Sequence, residues 1–325
     1  MKPPLDPSRA RTTSLKRLTR KITRGQFATP VAPGASLSQF LASLPDVLAA
    51  RQFRTLAHAI ADAHRGQHTF LLMMGAHPLK VGLGPLISEL IHDHIISALA
   101  TNGAAIIHDF ELAMIGRTSE DVAAQLLDGS FGMAEETGAF LNQAARDAAR
   151  GGIGLGAAVG RAITDARLKF RDASIFAAAH DAGIPATVHV TLGADIIHMH
   201  PSADGAAIGQ STFTDFHQLA TVVASLSRGA VLNLGSAVVM PEVFLKALNL
   251  ARNLGHRVDH FTAADMDFVP QYRPRMNVVE RPTMGGGQGI TLTGHHELMF
   301  PLLAAAVRED LANSRARASR RKSDL

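Results

Sequence analysis

The sequence predicts an α/β protein with a Rossmann-like, mostly parallel sheet that is covered by helices on both faces. Short apolar runs, typical of buried strands, alternate with longer segments whose apolar residues recur at helical spacing. Strands that alternate with helices pair in parallel, because each helix returns the chain to the same edge of the sheet. In such sheets ligands bind beyond the carboxyl ends of the strands. We therefore expect the functional residues in the small polar segments that follow the strands.

Each predicted element is recognised by its apolar pattern and by the residues that end it. The predicted strands are residues 68–77, 95–103, 184–193, 230–236, 259–265 and 289–294. The predicted helices are two within 37–66, then 84–94, 118–127, 140–150, 173–183, 212–229, 241–255 and 295–307. Thr118 is expected to cap the helix that follows it, and Gly183 to end another.

Two glycine-rich segments break this alternation. The segment "GGIGLGAAVGRA" (151–162) contains a Gly-x-Gly at Gly154 and Gly156, which is part of a dinucleotide fingerprint. The fingerprint requires a preceding strand, and the segment before it has a helical pattern, so we predict a loop or flexible connector. The run "MGGGQG" (284–289) is predicted to be a flexible lid or a hairpin.

Composition places the chain among globular proteins. Of its 325 residues, 46% are hydrophobic and 18% are charged, which is enough for one large α/β domain, here assigned to residues 31–307. The absence of cysteine excludes disulfides, thiolate metal sites and a cysteine nucleophile. No apolar run reaches the roughly 20 residues of a membrane span, and the N-terminus has no apolar signal region. We expect a soluble, cytoplasmic protein without a membrane partner.

The charge is distributed unevenly between the body and the two ends. Residues 1–25 hold eight basic and one acidic residue, and residues 308–325 hold six and three. Removing these 14 basic and four acidic residues from the totals of 32 and 28 leaves a net charge of −6 between them. We predict a basic N-terminal arm (1–30) and a basic C-terminal tail (308–325), either solvated or in contact with RNA, anionic lipid or an acidic partner. The body has no basic stripe and few aromatic residues for base stacking, so a nucleic-acid function is not expected.

Three residues near the strand ends are candidates for proton transfer. Lys80 is the only lysine at a strand end, where it can act as a base or a Schiff-base nucleophile if it is buried, or open a helix at the surface if it is not. His108 and Asp109 follow another strand-end loop and can act as acid or base, since imidazole titrates near neutral pH. The alternative for His108 is a structural hydrogen bond to the backbone.

The stretch "IIHMHPSADGAAIG" (196–209) allows two interpretations. In an extended segment His198 and His200 point to the same side, and with His108, Asp109 and His189 they form a possible metal site. A metal site needs three or four converging ligands, and the sequence establishes only two. We therefore expect the stretch to line a cofactor or substrate pocket, with His200 among the catalytic residues and no metal assigned.

Several strand-end segments, taken in order, resemble the deoxyhypusine synthase family. These segments are "ATNGAAIIHDFE", "IPATVHV" followed by "PSADGAAIG", "AVLNLGSAVV", "FTAADMD" and "LMFPLLAAAV". The resemblance covers most of residues 68–307. It implies a Rossmann-like fold, a homotetramer, and NAD bound near subunit interfaces for a reaction on a polyamine. Carried over by position, the cofactor-binding residues are Asn102, Gly103, Asp204, Gly205, Gly235, Ser236, Thr262, Ala263 and Asp267.

Other groups at these segments have physical reasons to face the same ligand. Gly and Ser allow backbone amides to approach a pyrophosphate, and Asp204 or Asp267 can bind a ribose diol. His295 or His296 begins the last helix, where an imidazole stays neutral, and His295 is assigned to the cofactor site.

The departures from the family concern its reactive groups. The lysine motif that forms an imine with the substrate is missing, and Ile107 and His108 stand where the family has paired glutamates. Pro241 replaces a histidine and Gln210 replaces an acid. We therefore expect an NAD-dependent enzyme that acts on a small amine or related metabolite and does not synthesise deoxyhypusine. The alternatives are a metal-dependent hydrolase or lyase that uses His108, His198 and His200, and a binding or assembly protein without turnover.

Overall fold

Six parallel strands form the centre of the protein. The computed structural model describes the backbone of residues 3–323 and the side chains of residues 3–314. The strands are β1 (Phe70–Met74), β2 (Ala98–Asn102), β3 (Ala186–His189), β4 (Ala230–Leu234), β5 (Thr262–Asp267) and β6 (Gln288–Thr293). Their order across the sheet is β3-β2-β1-β4-β5-β6, and each neighbouring pair is parallel. The predicted α/β, Rossmann-like fold class is confirmed.

Helices connect the strands and cover both faces of the sheet. They are α1 (Leu37–Ser43), α2 (Leu48–Arg65), α3 (His77–Lys80), α4 (Gly84–His92), α5 (Gly103–Ile115), α6 (Val122–Gln125), α7 (Glu135–Gly151), α8 (Leu155–Asp165), α9 (Ile175–Asp181), α10 (Gly205–Ala224), α11 (Val239–Asn253), α12 (Tyr272–Pro274), α13 (Arg281–Thr283) and α14 (His296–Ser323). A π-helical stretch, Arg275–Glu280, joins α12 to α13.

The side chains of β1 alternate between two apolar layers, because successive residues of a strand point to opposite faces. Phe70, Leu72 and Met74 pack into the layer formed with α2, α4, α5 and α14. Leu71 and Met73 pack into the other layer, which is formed with α10 and α11. All five are buried, as expected for a central parallel strand. β1 pairs with both β2 and β4. The chain first adds β2 and β3 on one side of β1 and then adds β4, β5 and β6 on the other side, so the strand order reverses beside β1. This reversal is the switch point at which such sheets bind ligands.

The prediction of a loop at residues 151–162 is wrong, because most of this segment is the helix α8. A Cβ on Gly156 would overlap the backbone of Ala186 at the start of β3. A Cβ on Gly160 would overlap the carbonyl group of Phe176 in α9. The glycines therefore allow close contact between α8 and its neighbours, which a single sequence does not distinguish from flexibility.

The helix predicted at 118–127 is reduced to the single turn of α6. Its cap is Asp121, whose carboxylate accepts a hydrogen bond from the Ala124 amide at 3.2 Å. Thr118 does not cap a helix, because its hydroxyl group forms hydrogen bonds with His108 and Glu111 of α5. The expectation of a Thr118 cap is therefore wrong.

Asp215 of α10 is a buried carboxyl group that joins three elements. Its Oδ2 atom accepts hydrogen bonds from the amides of Gly156 in α8 and Val188 in β3, each at 2.9 Å. Burial raises the pKa of Asp215 to about 7, although these hydrogen bonds oppose the rise.

We expect Asp215 to lower the stability of the protein as the pH rises from about 4 to about 7. In this interval the carboxyl group keeps its proton in the folded state and loses it in the unfolded state, so a rise in pH favours unfolding. Above this interval the group is ionised in both states and its contribution no longer changes. Asp215→Asn should therefore flatten the dependence of Tm on pH, whereas Asp147→Asn, at a half-exposed position on α7, should not. Parallel curves for the wild type and Asp215→Asn would contradict this assignment.

The last helix continues beyond the predicted end of the domain at residue 307. Arg308 of α14 forms an ion pair with Glu89 of α4 at 2.8 Å, and Asp310 forms one with Arg65 of α2 at 2.8 Å. The first residues of the segment predicted as a basic tail thus pack on the domain. The basic side chains from Arg315 onward lie outside the described residues.

The predicted N-terminal arm consists, from residue 3, of extended chain and three single turns of 3₁₀ helix. Its apolar residues Leu5 and Leu15 are exposed. Within the part of the chain that the structure describes, no helix is both long and apolar enough to cross a membrane.

Candidate active site

The loops that leave β1, β2 and β3 surround a cavity of about 200 Å³ at the carboxyl edge of the sheet. Lys80 is the last residue of α3, after β1. His108 and Glu111 lie on α5, after β2, and Asp195 lies in the loop after β3. Glu120, from the segment between α5 and α6, lines the same cavity. The cavity therefore combines one ammonium group, one imidazole and three carboxyl groups.

A hydrogen-bonded chain of three side chains ends at this cavity. The Thr118 hydroxyl group donates a hydrogen bond to Glu111 Oε2, and His108 Nδ1 lies 2.7 Å from Thr118 Oγ1. Because Thr118 has one proton and gives it to Glu111, its oxygen accepts the N–H of His108 Nδ1. The second ring nitrogen, Nε2, then carries a lone pair. This arrangement orients the imidazole as a proton acceptor.

The sequence identified only one member of this chain. His108 was predicted, whereas Thr118 was assigned to a helix cap and Glu111 was not considered. Glu111 lies three residues after His108, on the same face of α5, and this spacing could have identified it. Thr118 could not have been found in this way, because the turn after α5 brings it back to the helix.

The environment of the cavity keeps His108 neutral. Burial and, to a smaller extent, the positive charge of Lys80 together lower the pKa of His108 to about 4. Burial also raises the pKa of Glu111 and of Asp195 above the usual range of carboxyl groups. An imidazole that is neutral at physiological pH can accept a proton from a bound substrate.

Replacing Lys80 by methionine should raise the pKa of His108, because the substitution removes the nearby positive charge but leaves the ring buried. The pKa should still lie below that of an exposed histidine. NMR titration of the His108 Cε1–H resonance would measure the change. Lys246→Met, a substitution on the outer face of α11, is the control and should leave the titration unchanged. An unaltered His108 titration in Lys80→Met would show that the two groups do not interact.

Lys80 lies at the wall of the cavity, as its position after a strand predicted. Its side chain is exposed, so the burial that a nucleophilic lysine requires is absent. Of the two interpretations left by the sequence, this exposure favours the surface lysine, although Lys80 ends α3 instead of opening a helix and places a cation at the wall of the cavity.

Asp109 has a structural position instead of the predicted catalytic one. It is fully buried and accepts hydrogen bonds from the Ser174 hydroxyl group and from the Ile175 amide, the latter at 2.8 Å. These contacts fix the start of α9. Burial raises the pKa of Asp109 to about 7. His108 faces the cavity and Asp109 faces the core, because successive residues of a helix point in directions about 100° apart.

His200 is also separated from the cavity. Its ring packs against Gly138 of α7, where a Cβ would overlap it, and its Nδ1 lies 2.7 Å from the Ser202 hydroxyl oxygen. His198 accepts a backbone amide of its own loop through Nδ1. Among the residues that the structure describes, no three His, Cys, Asp or Glu side chains are placed to hold a metal ion. The alternative of a metal site therefore has no ligand set in this part of the chain.

The predicted cofactor residues after β2 contact the protein itself. Asn102 caps α5 by accepting a hydrogen bond from the Ala105 amide at 3.2 Å. A Cβ on Gly103 would overlap the Asp195 carboxylate, so this glycine makes room for a side chain and not for a phosphate group.

Asp204 and Gly205 form the start of α10, which follows the edge strand β3. Asp204 accepts hydrogen bonds from the amides of Ala206 and Ala207 at 2.9 and 3.1 Å. Its carboxylate therefore caps α10 and stabilises the helix. These hydrogen bonds to the helix compete with the predicted hydrogen bond to a ribose. A Cβ on Gly205 would have no described atom within 4 Å, so the space beside this glycine is free.

The predicted residues Gly235 and Ser236 lie at the switch point, directly after β4. Gly235 has a left-handed backbone with φ of 67°, and a Cβ on it would overlap the ring of His296. A Cβ on Gly75, after β1, would lie 2.7 Å from the Gly235 carbonyl oxygen. Ser236 accepts the Met240 amide at 3.2 Å and so holds the start of α11. The backbones of Gly75 and Gly235 therefore approach each other closely, and the ring of His296 packs against Gly235.

Asp267, at the end of β5, lies beside this imidazole. Its Oδ1 is 3.5 Å from Nε2 of His296, which is completely buried. Burial lowers the pKa of His296, so the ring is neutral at physiological pH. His295, the predicted cofactor residue, is exposed, and its ring is parallel to that of Phe268.

Two predicted cofactor residues lie at the wrong edge of the sheet. Thr262 and Ala263 begin β5, and Ala263 is buried in the core. They are separated from Asp267 by the length of the strand, about 16 Å, so they cannot contact a ligand at the carboxyl edge. The match of "FTAADMD" to the family motif placed these residues at a strand end, where the structure has a strand start. The run at 284–289 also precedes a strand, β6, so it does not form a lid over the crevice.

The glycine and carboxylate groups beside the switch point suit a dinucleotide, although the acid–base cavity is too small for one. A cavity of about 200 Å³ is smaller than the usual ligand pocket, so a dinucleotide would have to lie along the open carboxyl edge. At that edge His296 is completely buried, and its Nε2 lies 3.5 Å from Oδ1 of Asp267.

The fold and this site together define a Rossmann-like α/β protein with a small acid–base cavity at its ligand-binding edge. No protein-family model matches the sequence, and no curated protein matches it. Among solved structures, the fold is similar to that of AgrE in its ternary complex with ornithine and NAD⁺, with a TM-score of 0.53 and 12% identity over 81% of this chain. The chain spans about a third (34%) of the length of AgrE.

Two other solved structures match this chain over a larger part of their own length. A conserved LOR/SDH-type protein from Methanococcus maripaludis S2 has a TM-score of 0.50 and 14% identity, over 81% of this chain and 71% of that one. A protein assigned as a deoxyhypusine synthase from Entamoeba histolytica has a TM-score of 0.49 and 13% identity, over 84% and 93%. The similarity to AgrE and to the LOR/SDH-type protein, at identities this low, shows a shared fold alone. The resemblance to the deoxyhypusine synthase family therefore stays a prediction.

Proposed function

We propose that this protein is an NAD-dependent enzyme that acts on a small amine or a related metabolite. The observation that carries the proposal is the chain from Glu111 through Thr118 to His108, which ends at a cavity on the ligand-binding edge of the sheet. A base held in one tautomer by a hydrogen-bonded carboxylate is the arrangement that proton transfer requires.

The charges of the cavity are complementary to an amine. Glu111, Glu120 and Asp195 supply three carboxyl groups, against the single ammonium group of Lys80. A protonated amine placed between these carboxylates gains hydrogen bonds assisted by charge. An anionic group on the same substrate would face Lys80. The volume of about 200 Å³ limits the substrate to a small molecule.

His108 moves the proton in the proposed reaction. NAD, when bound, accepts a hydride from a carbon atom of the substrate. His108 Nε2 takes the proton that the substrate loses when its amino or hydroxyl group is oxidised. The resulting positive charge on the ring is stabilised by Glu111 through the Thr118 hydroxyl group. The residues that would hold the cofactor are Gly235, Asp267 and His295, beside the switch point.

Similarity to AgrE supports the cofactor and the class of substrate. That structure contains NAD⁺ together with ornithine, a compound with two amino groups. In this chain the amine-compatible cavity follows β1, β2 and β3, and the buried pair of Asp267 and His296 follows β5 and β6. The proposal rests on these residues. The similarity to AgrE supports it only at the level of the fold.

A binding and turnover experiment tests the proposal. The purified protein is titrated with NAD by calorimetry and then incubated with NAD and a panel of small amines and amino acids, while the absorbance of reduced nicotinamide is recorded. We expect saturable NAD binding and reduction with at least one amine, and reduction that is slower by about a hundredfold or more in His108→Gln. Failure to bind NAD would overturn the proposal. Binding without reduction would favour the alternative of a binding protein without turnover.

Assembly into a homotetramer is a further part of the proposal and comes from the sequence resemblance. Native mass spectrometry of the freshly purified protein would report the number of subunits together with any retained nucleotide. A monomer would overturn this part and leave the assignment of the acid–base cavity unchanged.

A further inference from the structure

The N-terminal arm contains an amphipathic segment at residues 15–24. Its apolar residues Leu15, Leu18 and Ile22 are separated by three and then four positions. On a helix, where successive residues point about 100° apart, these three side chains lie within a sector of about 60°. The opposite sector, of about 140°, holds five basic residues, which are Lys16, Arg17, Arg20, Lys21 and Arg24. We call the two sets the apolar face and the basic face.

The residues on either side of the segment suit a helix of this length. Ser14 precedes it and already caps the single 3₁₀ turn Leu15–Arg17, where its side chain accepts a hydrogen bond from the Lys16 amide at 3.3 Å. Gly25 follows it, in the position where glycine commonly ends a helix. An isolated helix shorter than about 12 residues is marginal in water. A single turn is therefore expected here unless the apolar face contacts a partner.

The body of the protein leaves both faces of the segment exposed. Leu15 is 70% exposed, Leu18 45% and Ile22 51%, and none of the three belongs to the two apolar layers described above. Within the described residues, the hydrogen bonds of residues 15–24 are to other residues of the arm. The arm bonds to the body at Gln26, whose carbonyl oxygen accepts the Asp46 amide at 2.9 Å. The segment is thus accessible to a partner.

The chemistry of the segment fits a bilayer surface that contains anionic lipids. No acidic residue occurs between Asp6 and Asp46, so no neighbouring carboxylate in the sequence neutralises the basic face. A helix with one basic and one aliphatic face is typical of segments that lie among lipid headgroups. Nucleic acid is a poorer match, because it does not use an aliphatic face and the arm has no aromatic residue for base stacking before Phe27.

We infer that residues 15–24 bind as a helix to an anionic lipid surface. The apolar face contacts the acyl chains and the basic face contacts the lipid phosphate groups. The expectation of no membrane partner is based on the lack of a run long enough to span a bilayer, and a helix that lies on the surface needs no such run. The inference does not rest on the proposed function, because the described residues that line the acid–base cavity all lie outside this segment.

Tryptophan fluorescence of the full-length protein tests the inference, because the chain has no tryptophan of its own. Leu18→Trp reports on the apolar face, and Arg20→Trp reports on the opposite side of a helix. We expect saturating vesicles of equal parts phosphatidylcholine and phosphatidylglycerol to shift the emission of Leu18→Trp to shorter wavelength, with a much smaller shift for Arg20→Trp. Pure phosphatidylcholine should shift neither. Equal shifts would overturn the helix, since residues 18 and 20 point to the same side of an extended chain.

Vesicle flotation measures the contribution of the basic face. Combining Lys16→Gln with Lys21→Gln should weaken binding to the anionic vesicles by on the order of tenfold or more, because each basic residue near such a surface contributes about fivefold. Lys169→Gln combined with Lys246→Gln, at two exposed lysines of the body, is the matched control and should leave binding unchanged. Equal binding by the two double variants would overturn the role of the basic face. All four lysines are exposed, so both variants should keep the wild-type Tm.

Three further results would overturn the inference. If anionic vesicles leave the emission of Leu18→Trp unchanged, the apolar face does not enter a lipid surface. If that emission already lies at short wavelength before vesicles are added, the segment packs on the body of the protein. If the wild type binds single-stranded RNA but does not float with vesicles, the basic face serves nucleic acid instead.

Discussion

Replacing His108 by glutamine should lower kcat by about a hundredfold or more, with a much smaller change in KM. Glutamine occupies a similar volume and can donate a hydrogen bond to Thr118, but it cannot accept a proton at the position of Nε2. The loss therefore falls on proton transfer and not on substrate binding. Steady-state rates with NAD and the best amine of the panel would measure it. Equal losses in kcat and in substrate affinity would instead assign His108 to binding.

The neighbours of His108 provide graded controls for the same prediction. Thr118→Val removes the hydroxyl group that orients the ring, so kcat should fall, though less than in the His108 variant. Thr118→Ser retains a hydroxyl group and should restore most of the activity. Because burial lowers the pKa of His108 to about 4, the rate should stay high well below pH 6, where an exposed histidine would already be protonated. A rate that falls with an apparent pKa near 6.5 would contradict this environment for the ring.

Replacing Gly156 by valine should destabilise the fold by about 2–3 kcal/mol. The new side chain would meet the backbone of Ala186 at the start of β3, which cannot move without breaking the pairing of β3 with β2. The hydrogen bond from the Gly156 amide to Asp215 lies at the same contact, so a shift of α8 would strain it. Urea unfolding monitored by circular dichroism would measure the change.

The control for this prediction is a substitution at the next residue, Ala157. Ala157 is on α8 as well, but its side chain is exposed, so Ala157→Val should cost only the difference in helix propensity, well under 1 kcal/mol. Similar midpoints for the two variants would mean that α8 does not need close contact with β3.

Elements whose sequence pattern is purely local were predicted well. The strand at 70–74 and the helix at 48–65 have apolar residues in the rhythm of their own secondary structure, and burial in the folded chain follows that rhythm. The segment at 151–162 was predicted incorrectly, because Gly156 is favourable in a helix only when a neighbouring backbone occupies the place of its side chain. That neighbour, Ala186, is distant in the sequence.

The site shows the same division between local and distant information. His108 and Lys80 were found because they follow strands, and the structure places both at one cavity. Thr262 and Ala263 were misplaced because a motif match shifted the start of β5 by several residues. Asp109 was misassigned because its partners, Ser174 and Ile175, come from a later helix.

The sequence by itself determined the layers of this protein and the edge of the sheet at which its polar groups collect. Both follow from the periodicity of apolar residues and from the alternation of strands with helices, which are properties of adjacent residues. Only the tertiary structure decided which of those polar groups meet. Thr118 reaches Glu111 and His108, and His296 is enclosed beside Asp267, because the loops fold back on the sheet. Protonation state and hydrogen-bond partners depend on burial, and burial is a property of the whole packed chain.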